Sequence, residues 1–391
     1  MKKLNLFLSV AFLCASSLSF AQQCEDCDIV QKDALVHVGM DNESYVDSYG
    51  WYNWADVNQT GLGNLSMIFQ DGTYNGSSVY QYGYNNVANV AQTGYDNYGH
   101  INQSGLRNSA EQLQGQNWGW SYYGHAGASQ YGDDNVSFQS QDGYWNSAEV
   151  YQNGTGNYAE QNQESTGYSW YGNNAYISQY GDENESLQNQ MGDGGNYASS
   201  YQNGTGNTAV SNQETYNYYD YGYNSSYINQ SGDNNLACIN QMSYGGYNNS
   251  GINQVGDENF ASVQQATDWG WNDSDINQNG DLNEACVTQN GYGAGNYSSV
   301  YQDGDGNMAM VNQWGDYGYN NSNVNQDGDS NRAYVNQGNY AGYNMSDVYQ
   351  SGDYNYASVN QNAEYYANYS NVNQVGEGNS AYVNQNSYSP F

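Results

Sequence analysis

The C-terminal half of the chain is a 24-residue repeat, and this period constrains the fold more than any other feature. Its first glutamine recurs as Gln254, Gln278, Gln302, Gln326, Gln350 and Gln374. A second glutamine follows 11 residues after each of these, as Gln265, Gln289, Gln313, Gln337, Gln361 and Gln385. A fixed period of this length indicates a stacked repeat architecture.

Each repeat unit contains two segments with the same alternating pattern. In NFASVQQ, the residues Asn259, Ala261, Val263 and Gln265 fall on one side, and the residues between them fall on the other. Such alternation predicts a β-strand. The asparagine that opens this second segment recurs as Asn283, Asn307, Asn331, Asn355 and Asn379. We call the recurring positions, N-x-[AS]-x-[VI]-x-Q, the frame.

A glycine separates the two segments of each unit, as Gly256, Gly280, Gly304, Gly328, Gly352 and Gly376. Tight turns often need a positive φ angle, which glycine adopts without strain. The two strands are therefore predicted to face each other across this turn as a β-arc.

Eight less regular units precede the C-terminal six, with anchors Gln59, Gln81, Gln103, Gln130, Gln152, Gln179, Gln202 and Gln230. A degenerate half unit runs from His37 to Ser48. The predicted organisation is a segment over 22–36, the half repeat and its connector over 37–52, the repeat array over 53–385, and a tail over 386–391.

The charged residues show which side of the strands faces inward. Acidic and basic residues such as Glu284 and Arg332 occupy variable positions, so the polar frame is the predicted core. Identical amide side chains stacked at about 4.7–4.8 Å can bond to their copies above and below. We predict an all-β fold: a two-sheet, parallel, in-register, amyloid-like β-solenoid of about fourteen stacked β-arcs. The repeats run almost to the end of the chain, so the last arc is predicted to offer an open edge.

The first 21 residues have the pattern of a secretory signal peptide, with Lys2 and Lys3 before an apolar run and Ala21 at the cleavage site. The chain is therefore expected to be secreted, without insertion in a membrane. Its formal net charge of −35 argues against nucleic acid as a partner. Only 37% of residues are hydrophobic, which excludes an ordinary globular core, and the strict positions of the frame argue against disorder.

Little in the sequence indicates an enzyme or a cofactor. The only histidines are His37, His100 and His125, which are expected to be tolerated polar substitutions rather than bases or ligands. DGDGN at 303–307 fails as an EF-hand, and GYGAGN at 291–296 lacks the context of a phosphate loop. Cys24 and Cys27 lie in the motif CEDC, which is compatible with a local disulfide, with half of a metal site, or with no functional role.

Cys238 and Cys286 occupy the same outward position in units that are two apart in the stack. The distance between them is therefore about 9.5 Å, and they are predicted not to form a disulfide.

Two further columns are expected along the solenoid. An aromatic row contains Tyr223, Tyr247, Trp271, Tyr319 and Tyr343. A carboxylate column, which would attract divalent cations weakly or consist of solvated turn residues, contains Asp233, Asp257, Asp281, Asp305, Asp329, Asp353 and Glu377.

With these elements in place, the repeat resembles that of the curlin family, S-x5-Q-x-G-x-x-N-x-A-x-V-x-Q. It is seen here as SGINQVGDENFASVQQ, SDINQNGDLNEACVTQ and SNVNQDGDSNRAYVNQ, and the match covers residues 53–385. The resemblance implies a bacterial subunit that is exported through an outer-membrane pore and polymerises outside the cell, with the frame residues as its assembly positions. It also implies a nucleator subunit as a partner and a role in biofilm matrix or adhesion.

Two features depart from the family. The chain has many more repeats than the familiar major subunits, and QQCEDCDIVQKDALV is not the Gly-rich export segment of that family. The alternative hypothesis is a soluble extracellular β-solenoid that binds glycans or another surface, for which the aromatic row is the supporting feature.

Overall fold

The computed structural model describes residues 32–115, 121–165, 172–192, 195–216 and 222–387, with backbone only for 32–35. Every regular element in these ranges is a β-strand. The strands are β1 Lys32–Met40, β2 Glu43–Trp51, β3 Trp54–Leu62, β4 Leu65–Thr73, β5 Gly76–Tyr84, β6 Val87–Tyr95, β7 Tyr98–Leu106, β8 Ser109–Gln114, β9 Ser121–Tyr122, β10 His125–Asp133, β11 Val136–Asp142, β12 Ser147–Thr155, β13 Tyr158–Glu164, β14 Asn174–Asp182, β15 Glu185–Gly192, β16 Asn196–Thr205, β17 Thr208–Thr215, β18 Tyr223–Ser231, β19 Leu236–Ser243, β20 Tyr247–Val255, β21 Phe260–Thr267, β22 Trp271–Asn279, β23 Glu284–Gly291, β24 Gly295–Asp303, β25 Met308–Gly315, β26 Tyr319–Asp327, β27 Arg332–Asn339, β28 Tyr343–Ser351, β29 Tyr356–Ala363, β30 Ala367–Val375 and β31 Ser380–Ser387.

The strands form two parallel sheets, of 15 and 16 strands, and each arc contributes one strand to each sheet. Short β9 pairs with β6 and is the extra strand of the second sheet. The frame stays in register from arc to arc, so Gln254 pairs with Gln278 and Gln278 with Gln302. The predicted two-sheet, parallel, in-register β-solenoid is therefore confirmed.

The predicted glycine turns also have the expected backbone. Gly280 has a φ of 112°, and its neighbours along the column have nearly the same value. A side chain here would also meet the carbonyl oxygen of Gly304 in the next arc. Glycine is thus required both by the left-handed backbone and by the close approach of the stacked turns.

The core consists of the frame residues. Predicted members that are buried include Gln254, Gln265, Gln278, Gln289, Gln302, Gln313, Gln326, Gln337, Gln350, Gln361, Gln374, Asn259, Asn283, Asn307, Asn331, Asn355, Ala261 and Val263. Of the predicted set, Asn379 is exposed and Gln385 half-buried, because no further arc of the described residues covers the last one. The interior therefore combines columns of buried amides with columns of buried Ala, Val and Ile, the largest cluster of which runs from Ala209 to Val372.

The first arc differs from its sequence prediction. Instead of a half unit from His37 to Ser48, β1 and β2 form a complete arc over Lys32–Trp51. Its first strand was missed because Asp33 stands in register with Ala55, and Leu35 with Val57, so few frame letters survive. The predicted signal peptide, Cys24 and Cys27, and the last four residues of the tail lie outside the described residues.

Candidate functional site

The glutamine columns are continuous ladders of hydrogen bonds with one direction. Gln254 Nε2 donates to Gln278 Oε1 at 2.9 Å, and the same nitrogen donates to the carbonyl of Leu236 at 3.2 Å. The second column repeats this arrangement, with Gln265 Nε2 donating to Gln289 Oε1 at 2.8 Å and to the Asn249 carbonyl at 2.8 Å. Each amide therefore donates towards the arc nearer the C terminus and also ties the two sheets together.

The asparagine columns run in the opposite direction. Asn331 Nδ2 donates to Asn307 Oδ1 at 3.2 Å, and the backbone N–H of Asn331 donates to the same oxygen at 3.0 Å. In the first strand, Asn272 Nδ2 donates to Asn248 Oδ1 at 2.9 Å. The glutamine and asparagine ladders therefore donate in opposite directions. As a result, each end of the stack presents donors from one kind of ladder and acceptors from the other.

The last arc leaves these ladders open. Gln374 Nε2 donates to the Tyr356 carbonyl at 3.0 Å, and Gln385 Nε2 to the Tyr369 carbonyl at 2.7 Å. In the described part of the chain neither amide has a further glutamine to receive its second N–H. Among the described strands, β30 and β31 each pair on one side only, with β28 and β29. The last described arc thus presents exposed strand edges and amide groups with the geometry of the interior.

The first arc presents a different surface. His37 stands in register with Gln59, and Ser48 with Gln70. Ser48 Oγ donates to Gln70 Oε1 at 2.9 Å, so one ladder is closed by a hydroxyl. The His37 ring instead bonds to Ser44 Oγ at 2.8 Å, and Gln59 Oε1 has no partner among the described residues. The two ends of the solenoid are therefore not equivalent.

The predicted carboxylate column makes hydrogen bonds between turns. Asp257 Oδ1 accepts the backbone N–H of Asp233 at 2.8 Å, and Asp281 Oδ1 accepts that of Asp257 at 2.8 Å. The same bond continues to Asp353, and Asp233 accepts from Thr205. Each aspartate thus pairs a backbone donor of the turn before it. No group of three or more His, Cys, Asp or Glu in the described ranges is arranged to hold a metal ion, and cation binding by this column stays a prediction.

The predicted aromatic row does lie in one column on the outer edge. Tyr247 pairs with Trp271, and Tyr319 with Tyr343, whose rings stack at 5.4 Å. Gly295 interrupts the row, and a Cβ there would be 2.6 Å from the Trp271 ring and 2.7 Å from the Tyr319 ring. The rings therefore lean over the glycine. Tyr223 continues the row in the N-terminal direction.

Two of the three histidines, His100 and His125, lie on outer positions of β7 and β10. His100 Nδ1 is 2.8 Å from Ser78 Oγ, and burial lowers the pKa of its imidazole. His125 Nδ1 is 3.0 Å from Glu149 Oε1. These are separate pairwise contacts, and their expected role as tolerated substitutions stays a prediction.

The two cysteines of the repeat array behave as their register predicts. Cys238 pairs with Ser262, which pairs with Cys286, so the thiols are two arcs apart on the outer face. Both are free, and burial raises the pKa of each thiol.

Sequence reasoning missed a third glutamine ladder in the middle of the array. Gln112, Gln139, Gln161 and Gln188 occupy the frame position that carries Val or Ile in most other arcs, and all four are buried. Gln112 Nε2 donates to Gln139 Oε1 at 2.9 Å and to the His100 carbonyl at 2.9 Å. The signal was available in the motif Q-x-Q, which ends the second strand of these four units.

No protein-family model matches the chain. No curated protein matches it either. The described ranges also contain no helix long and apolar enough to cross a membrane.

Proposed function

We propose that this chain is a secreted structural subunit that polymerises end to end into extracellular, curli-like fibres of a biofilm matrix or adhesive surface. The observation that carries the proposal is the last arc, where Gln374 and Gln385 present unfilled ladder positions beside two open strand edges. An exposed sheet edge of this kind is a template for another strand.

The geometry supports a second copy as the occupant. The first arc of another molecule carries two parallel strands with the same spacing as any internal arc, because β1 and β2 pair with β3 and β4 over nine residues each. Docked on the last arc, they would continue both sheets in register. The junction would then repeat the backbone hydrogen bonds that hold the interior together.

A direct experiment uses purified mature protein at about 50 μM, followed by sedimentation and electron microscopy. We expect fibres with a meridional reflection near 4.7–4.8 Å, the interstrand spacing of cross-β structure. Protein that stays monomeric and fully folded under these conditions would contradict the proposal and favour the soluble binding module.

A pair of double variants tests whether the last arc is the growing surface. Gln374→Lys with Gln385→Lys places two charges at the ladder positions, where a docked copy would bury them without partners. Asn373→Lys with Asn384→Lys is the matched control, since these neighbours point outward and are exposed in the same strands. We expect the first variant to remain folded and lose assembly, whereas the control assembles. Equal assembly of both variants would refute a junction at this surface.

The runner-up function, a soluble extracellular module that binds glycans, rests on the aromatic row that includes Trp271 and Tyr319. These rings are exposed and follow one edge. Pull-down of the monomer on insoluble polysaccharide, with no fibres at any concentration, would favour it.

A further inference from the structure

The edge that joins each arc to the next has an alternation with a period of two arcs, or 48 residues. One column contains, in order, Tyr244, Asp268, Tyr292, Asp316, Tyr340 and Glu364. The adjacent column contains Gly245, Trp269, Gly293, Tyr317, Ala341 and Tyr365. Backbone bonds place these residues in line, with Asp268 N donating to the Gly291 carbonyl at 3.1 Å and Tyr292 N to the Gly315 carbonyl at 2.9 Å. Every arc thus contributes one ring, from alternate columns.

The rings pack in a zigzag rather than in a flat stack. Tyr292 and Tyr317 meet edge to face at 5.8 Å and 86°, and Tyr317 meets Tyr340 at 6.1 Å and 84°. The small residue of each alternate arc makes room for the neighbouring ring, since a Cβ on Gly293 would lie 3.3 Å from the Tyr317 ring. All three tyrosines are about half exposed, at 47%, 58% and 46%. Ring faces along this edge therefore stay open to solvent.

A cavity of about 340 Å³ lies on this edge beside Tyr292. Tyr244, Tyr292 and Trp314 line it, together with Asp268 and Asp316, over a floor of small side chains and glycines. Neither aspartate carboxylate makes a hydrogen bond or ion pair with another of the described residues, and no Lys or Arg lines the cavity. It therefore combines open aromatic faces with two uncompensated carboxylates.

We propose that this cavity binds an organic cation, namely a quaternary or alkylammonium group. Aromatic rings attract such cations through the negative face of the π system, and cages of aromatic residues are used to recognise them. The carboxylates add Coulomb attraction, in a chain whose formal net charge is −35. A neutral ligand would leave both carboxylates unpaired, which is why the charged class is favoured.

The alternation extends the site into a row. Tyr340 and Glu364 repeat the ring and the acid in the next arcs, so acids recur every second arc along the edge. Two arcs span about 9.5 Å at the parallel-strand spacing. A linear polyamine, with several ammonium groups on one chain, can therefore engage more than one position at once and gain from multivalency.

The test is ligand-observed NMR on soluble, freshly purified mature chain, with choline, spermidine and the neutral cellotetraose as probes. We expect saturation transfer to choline and spermidine, with spermidine at least ten-fold tighter. Asp268→Asn with Asp316→Asn should weaken binding of both cations by ten-fold or more. The matched control is Asp273→Asn with Asp275→Asn, which removes the same charge from the outer face of β22.

The outcomes separate specific binding from general attraction. Equal loss in the two double variants would overturn the proposal, because net charge alone would then account for binding. Binding of cellotetraose but not choline would overturn it in favour of a sugar site. Circular dichroism of each variant confirms that the solenoid is intact. Since the measurement uses the unassembled chain, it is independent of whether the protein forms fibres.

Discussion

The polar core makes a sharp prediction about two adjacent glutamines in β21. Gln265 points inward, is 1% exposed and belongs to a ladder, whereas Gln264 points outward and is exposed. Replacing either by Leu makes the same chemical change at neighbouring positions. In a globular protein with an apolar core, the inward Gln→Leu would be the substitution that lowers stability less. We expect the reverse here.

The magnitude follows from the bonds that Gln265→Leu removes. Gln265 accepts from Gln241 Nε2 at 2.9 Å and donates to Gln289 Oε1 and the Asn249 carbonyl, both at 2.8 Å. The partners stay buried and lose a bond each, and an unsatisfied buried polar group costs about 1–3 kcal/mol. Burying the larger apolar side chain offsets about 1–2 kcal/mol of this loss. We therefore expect a net destabilisation of about 3 kcal/mol, against less than about 0.5 kcal/mol for Gln264→Leu.

Amide hydrogen exchange is the suitable assay, because a stacked array opens locally and a single unfolding free energy does not describe it. Protection of the amides in the arcs of Gln241 and Gln289 should fall by about a hundred-fold in Gln265→Leu, since 1.4 kcal/mol is a factor of about ten. Arcs far along the array should keep their protection. Equal protection in the two variants, or higher protection in Gln265→Leu, would refute the account of the core as an amide ladder.

Three further predictions concern turns, hydroxyls and charge. Gly280→Ala should lower the stability of its own arc by about 3 kcal/mol, because it combines a strained φ with overlap on the next turn. Gly378→Ala, with φ 68° and open space, should cost about 1–2 kcal/mol. Amide hydrogen exchange in the arcs beside each turn compares the two variants, and equal losses of protection would contradict the prediction. Ser298→Ala should raise the hydrogen-exchange protection of the amides in its arc, since its buried hydroxyl has no partner among the described residues, and lower protection would contradict this. Burial raises the pKa of Glu111, so its ionised form opposes folding above that pKa. Glu111→Gln should therefore stabilise the protein at pH 7 and lose this advantage as the pH falls towards 4, when Glu111 is protonated; an advantage that is equal at both pH values would contradict it.

The sequence predicts the fold well because the residue type at each buried position is constrained by the same residue in the arcs above and below it. A residue at the position of Gln278 must match Gln254 on one side and Gln302 on the other, so a departure leaves unpaired groups on both neighbours. Repetition in the sequence is the direct trace of this requirement. The register, the glycine turns, and the outward position of Cys238 and Cys286 all follow from it.

Sequence reasoning missed the parts where several arcs differ from the consensus at the same column position. The ladder from Gln112 to Gln188 replaces the Val and Ile column in four consecutive arcs, and each amide still has a copy of itself as neighbour. A single consensus averaged over all units hides such a block. The two-arc alternation of the connecting edge is hidden for the same reason, because its period is twice that of the frame.

The opposed directions of the ladders have a consequence for assembly. Gln374 and Gln385 both point N–H groups out of the C-terminal end, while Asn379 carries the acceptor of a ladder that donates towards the N terminus. If two C-terminal ends met, glutamine donors would face glutamine donors. A copy that presents its first arc places Asn42 at the head of an asparagine ladder, and His37 and Ser48 opposite Gln374 and Gln385. Head-to-tail stacking therefore continues both sheets and an asparagine ladder, and the two glutamine ladders meet a histidine and a serine at the junction. In the proposed fibre, the amide directions within one molecule would therefore fix the polarity of the whole filament, and His37 and Ser48 would mark one weaker junction per molecule along it.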